Sequence, residues 1–409
     1  MSVVQGASGL QISWVTRPGD LVPLYPEWED LARSTEADVY LWPVWFAVWW
    51  KHFGAGRRLV CLVARSDGRL VGVLPFVVET IWVGPLPLRV ARLAGTDRNC
   101  IVFHLPAEAE QAPDLVCEAI RHLLDDDGCD VVSFTPVSER SDLLPMIRQI
   151  GATVSGLELI TKDAGSHVMF DLAGSFDDYL TSRVSRNRRS QFRSDHKALE
   201  KRFGMTATQH VPDAAAFAEF VTFHNTQWQA VGKGGHFTDW PGSAAFYADL
   251  ADRSVPGWGV RIDDFTGRDA EGRSIRLAAH FSLVAGRMCH WRLPARSLDP
   301  EVHKLSIGKV ALLALFRELT ASGFRGIEGG WGEYDYKLSL GGENVPVQRI
   351  ILGRASALGR LRMRLLLGWS ELVHLLYYRL WFLKIAPRMR QMTGSKPRPL
   401  WRHWIRTRL

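Results

Sequence analysis

The chain has 409 residues, 46% of them hydrophobic and 23% charged, which excludes global disorder and supplies enough apolar material for two globular domains. Its net charge of +7 is unevenly placed: from Arg354 onward there are thirteen Lys or Arg against Glu371 alone, and 182–203 holds eight against two acids. The rest is mildly acidic, a pattern that predicts two local anionic contacts rather than a chain coated by nucleic acid.

The start, MSVVQGASGLQISWV, has no basic segment and no continuous apolar run, so no signal peptide is expected. PEWEDLARS reads as a helix, and WPVWFAVWWKHFG (42–54) as an aromatic helix stopped by Gly54. With sixteen Trp in the chain, many must be core. RRLVCLVARSDGRLVGVLPFVVETI is two strands turned at Asp67-Gly68. PDLVCEAIRHLLDDDG is an amphipathic helix, CDVVSFTPV a buried strand, and SDLLPMIRQIG a helix broken by Pro145.

The second half repeats the plan. HVMFDL is a strand, and SFDDYLTSRVSRNRRSQFRSDHKALEKRFG a helix pair ending at Gly204. MTATQHV is a strand, DAAAFAEFVTFHNTQWQAVG a helix with Asp213 as N-cap, and SAAFYADLADRSV a helix. Residues 258–297 hold three strands with a turn at 285–287, SIGKVALLALFRELTASG is a helix, and RGIEGG a strand. The predicted fold class is α/β (α+β): tandem domains 1–165 and 166–350, each a mixed central sheet flanked by helices, followed by a basic amphipathic helical tail, 351–409. Five cysteines, Cys61, Cys100, Cys117, Cys129 and Cys289, form no C-x-x-C pair. Neither zinc nor a disulfide framework is expected, and a reducing cytoplasm fits.

Chemistry concentrates in three places. Ser306, Ile307, Gly308 and Lys309 open a helix, where free N–H groups and a lysine suit a phosphate; a plain Ser306 N-cap is the bland alternative. GIEGGWGEYDYK follows, with glycines at a strand end and Glu333, Tyr336 and Lys337 beside them for proton transfer or anion binding. His280 lies on a strand, and Trp228 and His236 can line an acceptor pocket; core packing is the alternative for all three. Arg186, Arg189, Arg193, Lys197 and Lys201 recur every three or four residues as one cationic stripe, solvated or turned to an anionic ligand.

The segments SFDDYLTSRVSRNRRSQFRSDHKALEK, FVTFHNTQWQAVGKGGHF, RLAAHFSLVAGRMCHW and HKLSIGKVALLALFRELTASGFRGIEGGWGEYDYK resemble, in order and spacing, the acetyltransferase family of cellulose and exopolysaccharide biosynthesis (the CelD/BcsL type), a branch of the GNAT superfamily. The resemblance covers about residues 20–345, with looser echoes in the first half. A more remote similarity is to Fem-type aminoacyltransferases. The resemblance implies acyl transfer from acetyl-CoA or another acyl-CoA, or from an activated amino acid in the Fem-like case, to a small, sugar-derived acceptor. It carries the cofactor role onto Ser306, Ile307, Gly308 and Lys309, where the chain has Ser-Ile-Gly in place of the family's Ser-Pro-Gly. It also matches the family's closing Gly-x-x-x-Tyr-Lys at Gly332, Tyr336 and Lys337. Candidate proton-transfer residues are His280, Glu333 and Tyr336. Candidate substrate contacts are Arg186, Asn187, Arg189, Trp228, His236 and Lys337. No metal and no nucleic acid are expected. The rival classes are a non-catalytic accessory protein with a degenerate cofactor loop, and a nucleic-acid-binding protein.

Residues 358–385 pattern as an amphipathic helix, with Leu361, Leu365, Trp369, Leu372, Leu376, Leu380 and Leu383 at spacings of three or four. Together with the acid-free end it is expected to meet an anionic membrane surface through 354–409, at the inner face of a bacterial membrane. The alternative is a helix docked on the body.

Overall fold

The computed structural model describes residues 3–5, 10–96, 100–230, 235–386 and 388–389. The strands in chain order are β1 (Val3–Gln5), β2 (Gln11–Val15), β3 (Arg58–Ser66), β4 (Arg69–Val83), β5 (Leu86–Leu93), β6 (Val131–Ser138), β7 (Leu157–Asp171), β8 (Thr206–His210), β9 (Ser254–Val255), β10 (Trp258–Arg268), β11 (Ser274–Ala285), β12 (Met288–Arg296), β13 (Gly326–Trp331) and β14 (Glu343–Arg354). The helices are α1 (Tyr25–Ser34), α2 (Pro43–Phe53), α3 (Ala112–Arg121), α4 (Leu143–Thr153), α5 (Phe176–Arg183), α6 (Arg186–Phe203), α7 (Ala214–Ala230), α8 (His236–Asp239), α9 (Ser243–Ala251), α10 (Pro300–Lys304), α11 (Ile307–Ala321), α12 (Asp335–Ser339) and α13 (Ala357–Val373).

The chain divides into two units, Met1–Gly165 with Pro346–Leu409, and Ser166–Val345. In the first, strands run in the order β1-β2-β3-β4-β5-β6-β14, antiparallel except for the parallel pair β5–β6. In the second the order is β7-β13-β12-β11-β10-β8, again with a single parallel pair, β12–β13. Each parallel pair needs a crossover, and a helix supplies it: α3 in the first unit, α11 in the second. Both units are therefore mixed sheets flanked by helices, built on one plan.

Local sequence explains much of this. Asp67 and Gly68 both take positive φ, as the two-residue turn between Ser66 and Arg69 requires. The Asp213 carboxylate accepts the Ala216 N–H at 2.7 Å, the N-cap read from sequence. Pro145 does not break its helix. It is the third residue of α4, where a missing N–H loses no intrahelical bond.

The first unit's core is tryptophan-rich, with Trp28, Trp42, Trp45 and Trp49 buried. Each buried indole N–H needs an acceptor. Trp28, Trp42 and Trp45 donate to the carbonyls of Leu41, Ala37 and Gly95, at 3.0, 3.1 and 3.2 Å.

The described part of the C-terminal segment is not a separate body. Met363, Leu366 and Leu367 of α13 are buried with Ile81, Leu88, Val90, Val131 and Ile351 of the first unit. Arg362 pairs with Asp130 and Glu371 with Arg349, both at 2.6 Å. The helix continues with wider turns over His374–Ile385. Most of the acid-free end, 390–409, lies outside the described residues.

Gly95 has φ +80, and a Cβ there would sit 2.7 Å from the Trp45 indole nitrogen. Gly95→Ala should cost about 2 kcal/mol or more, from strain and from displacement of a buried tryptophan. Urea unfolding checks it; an unchanged midpoint would mean that the loop moves freely.

Candidate active site

The second unit holds one place where its sheet opens. β12 and β13 pair in parallel only from Met288–Gly326 to His290–Glu328. Beyond that point β12 follows β11 alone, while β13 follows β7. The ladder is not continued between Trp291–Arg296 and Gly329–Trp331, so the two strands part there. Two irregularities accompany the divergence. Arg292 is skipped in the β11–β12 register, and the β7–β13 register shifts between Glu328 and Trp331. Gly329 is required there, because a Cβ would stand 2.7 Å from the Phe170 ring.

At the closed end of this wedge sits a buried polar cluster. The Glu328 side chain is 1% exposed, with His167 Nδ1 3.2 Å from its Oε1. The Gly330 N–H donates to the same oxygen at 2.8 Å. Burial pushes the Glu328 carboxyl up, but the His167 hydrogen bond and the charges of His167, His290 and Arg292 outweigh it and hold the carboxyl below its ordinary value. His290, its neighbour across the parallel pair, is buried, which lowers its pKa to about 4.

Lys337 closes the cluster from α12. Its ammonium donates to the carbonyls of Gly330 and Trp331, each at 3.2 Å, and lies 4.9 Å from the Tyr334 ring centroid. Burial lowers its pKa to about 8, with Glu328 opposing the shift. Burial of the adjacent Tyr336 raises its phenol to about 12, with Arg296 pulling the other way, so the hydroxyl stays protonated at neutral pH.

The start of α11 lies by the far end of β12, where a Cβ on Gly308 would meet only the Arg296 side chain, at 3.6 Å. Ser306 does not cap this helix by its side chain. Its backbone is left-handed, φ +50, and its hydroxyl makes no capping bond. Ile307 is core, whereas Gly308 and Lys309 are half-buried. Helix α7 also reaches the end of β12: Gln227 Oε1 accepts the Arg296 N–H at 2.8 Å.

Other predicted residues lie elsewhere. His280 is buried on the opposite sheet face from His290, since β11 pairs Ser282 with Trp291 but Leu283 with His290. Burial lowers its pKa to about 3, and its Nδ1 has no hydrogen-bond partner. So weak a base accepts few protons at neutral pH. Glu333 is exposed and accepts from Asn344 at 2.9 Å. His236 is buried among Phe237, Trp240 and Tyr247, with ring centroids 5.4–5.9 Å away. Trp228 joins the same aromatic cluster through His224, 6.0 Å between centroids. Residues 231–234 of the intervening loop lie outside the described residues.

Arg186 and Asn187 are exposed at the start of α6. Arg189 is not free for a ligand: its guanidinium donates to the carbonyls of Leu180, Thr181 and Val184, at 3.1, 3.0 and 2.7 Å. It closes the carboxyl end of α5, so a charge reversal there disturbs folding. Arg292, Arg296, His167 and His290 stand at the site although no motif of the sequence marks them. A polar residue at every second position of an otherwise buried strand, His290 then Arg292, is the signal that points to two of them. Among the described residues, no group of three or more His, Cys, Asp or Glu is arranged to hold a metal.

Residues 186–338 match the model of the acetyltransferase (GNAT) domain, a span running from the first residue of α6 into α12. No curated relative matches the sequence. FemX is similar in structure over 79% of this chain and 95% of its own, with TM-score 0.56 and 10% identity. L-PGS from Bacillus licheniformis is 14% identical over 84% of this chain and 95% of its own, TM-score 0.48. A tandem GNAT protein from the clavulanic acid pathway is 16% identical over 84% and 99%, TM-score 0.43. At such identity, what FemX shares with this chain is the fold.

Two measurements follow. Arg189→Ala should lower stability by about 1–2 kcal/mol in urea unfolding, while Arg193→Ala on the exposed stripe should be near neutral; equal effects would count against the helix-closing role. For Lys337, folded and unfolded chains are both protonated below pH about 8. Between about 8 and 10.5 the folded state releases its proton first, so stability rises with pH through that window. Wild type should therefore gain stability relative to Lys337→Met across that window, and a flat difference would exclude a lowered pKa.

Proposed function

We propose that the second unit transfers an acyl group from a thioester, acetyl-CoA or another acyl-CoA, to an amine or hydroxyl of a small, sugar-derived acceptor. The match of residues 186–338 to the acetyltransferase (GNAT) domain supports acyl transfer. The observation that carries the reading is the wedge between β12 and β13, beside which α11 begins. The resemblance to exopolysaccharide-linked acetyltransferases supports a sugar-derived acceptor and work at the cytoplasmic face of a bacterial membrane.

In this reading the thioester carbonyl enters the wedge, where main-chain N–H groups of β12 beyond its pairing with β13 stabilise the oxyanion. Trp291 and Trp331, one on each wall, have buried indole N–H groups without partners, as expected of donors kept for a ligand. The first N–H groups of α11, with Lys309 and Arg296, hold the anionic part of the donor. The acceptor nitrogen or oxygen attacks the carbonyl carbon, the C–S bond breaks, and the acceptor's proton ends on the departing sulfur. Tyr336, protonated at neutral pH, gives its proton to that sulfur and regains one from the acceptor. Lys337 holds the turn carrying Tyr336 against Gly330 and Trp331. Gln227, bonded to the end of β12, stands on the acceptor side.

Calorimetric titration with acetyl-CoA tests the donor. Wild type should bind, and Gly308→Glu should bind at least about tenfold more weakly, because a carboxylate would occupy the anion site. A Cβ on Gly308 makes only an ordinary contact with the flexible Arg296 side chain, at 3.6 Å, so the variant is expected to fold, which circular dichroism checks. Absence of wild-type binding would overturn acetyl-CoA as donor. Transfer from aminoacyl-tRNA in its place would assign the Fem-type donor, and transfer from neither would favour the non-catalytic accessory protein.

A further inference from the structure

We propose that the outward face of the C-terminal helix lies on an anionic lipid bilayer as an interfacial surface. The helix over 357–385 carries two apolar rows. One, with Met363, Leu366 and Leu367, is buried in the first unit's core. The other comprises Leu361, Leu365, Leu372, Leu376, Leu380 and Leu383, each 39–52% exposed. The sequence period joins these leucines with Trp369; Trp369 packs against the core beside the first row, and the leucines stay outside it. Folding does not need the exposed row, and so long a line of leucines on a surface marks a contact.

Charge identifies what it contacts. Glu371, the acid of this helix, is turned to Arg349 at 2.6 Å, and Arg362 to Asp130 at 2.6 Å. Arg364, Arg379 and Lys384 are exposed and make no ion pair among the described residues. The outward face is therefore leucine flanked by cations, and the sequence from Arg390 to Leu409 adds six more Lys or Arg and no acid. A bilayer interface answers both features, with acyl chains for the leucines and anionic headgroups for the cations. A second copy would bring like charges together across the leucines, and a nucleic acid would leave the leucine row in water. Among the described residues no helix is long and apolar enough to cross a membrane, which leaves a helix lying in the interface plane.

The test is flotation of the full chain with vesicles of phosphatidylcholine alone or mixed with phosphatidylglycerol. Wild type should float with the mixed vesicles and not with the neutral ones. Leu361→Glu/Leu365→Glu/Leu372→Glu should reduce binding by at least about tenfold, since each exposed leucine contributes through buried apolar area. Circular dichroism should show the variant folded, because these side chains are outside the core. Arg364→Glu/Arg379→Glu/Lys384→Glu should also reduce binding to mixed vesicles. Undiminished flotation of the leucine variant, or equal flotation with neutral vesicles, would overturn the proposal. So would a wild-type dimer in sedimentation that the leucine variant abolishes without any vesicle binding; a second copy would then be the occupant.

Discussion

An ionised carboxyl buried inside a sheet must be surrounded by donors, or it takes up a proton. Glu328 meets that demand at the last parallel pairing of β12 and β13, and the organisation of the second unit follows from how it does so. His167 approaches from β7, the Gly330 N–H turns back onto the same oxygen, and Arg292 stands at the register irregularity of β12. The fold of Gly330 toward Glu328 ends the regular pairing of β13 and turns the carbonyls of Gly330 and Trp331 to Lys337. One buried charge thus fixes where the two strands part and what stands on the turn that follows.

The same plan serves two ends. In the first unit the strand after the parallel pair is β14, which continues into a core of Ile350, Ile351 and Leu352. No charged cluster interrupts β6, whose residues are all buried. Where the first unit fills its centre with tryptophan, valine and leucine around the ion pair of buried Arg92 with Glu79, the second spends the equivalent region on histidine, glutamate, arginine and lysine. Buried polar groups of that kind stabilise a fold less than apolar packing of similar volume does. The first sheet keeps its buried Arg92 paired with Glu79, whereas the second gathers Glu328, His167, His290 and Lys337 at one strand end, a density that fits chemistry there.

Much of the fold was legible in the sequence, because its signals are local. Asp67-Gly68 states its own turn, Gly54 and Gly204 stop helices, and Asp213 caps one. The wedge was legible only as a density of glycines after Ile327. The cluster behind it was not, because His167, His290 and Glu328 are far apart in the chain and meet through strand order alone. Arg189 illustrates the same limit. Its spacing places it on a cationic stripe, but the carbonyls of Leu180, Thr181 and Val184 at the end of α5 claim the guanidinium. For Ser306 the residue type predicts a cap, and a left-handed backbone removes it.

Periodicity also fails where a helix has two apolar faces. A spacing of three or four residues identifies a row, not the side that faces the core. In α13 the buried row is short and contains Gly359 and Ser370, so the longer leucine row dominates the pattern. Burial of Met363, Leu366 and Leu367, with two ion pairs, decides between them. Asp130 and Arg349 draw Arg362 and Glu371 inward, and that rotation turns the leucines and the remaining cations out. The orientation is thus set by partners distant in sequence, and it leaves a surface whose only neutralising acid has already been used.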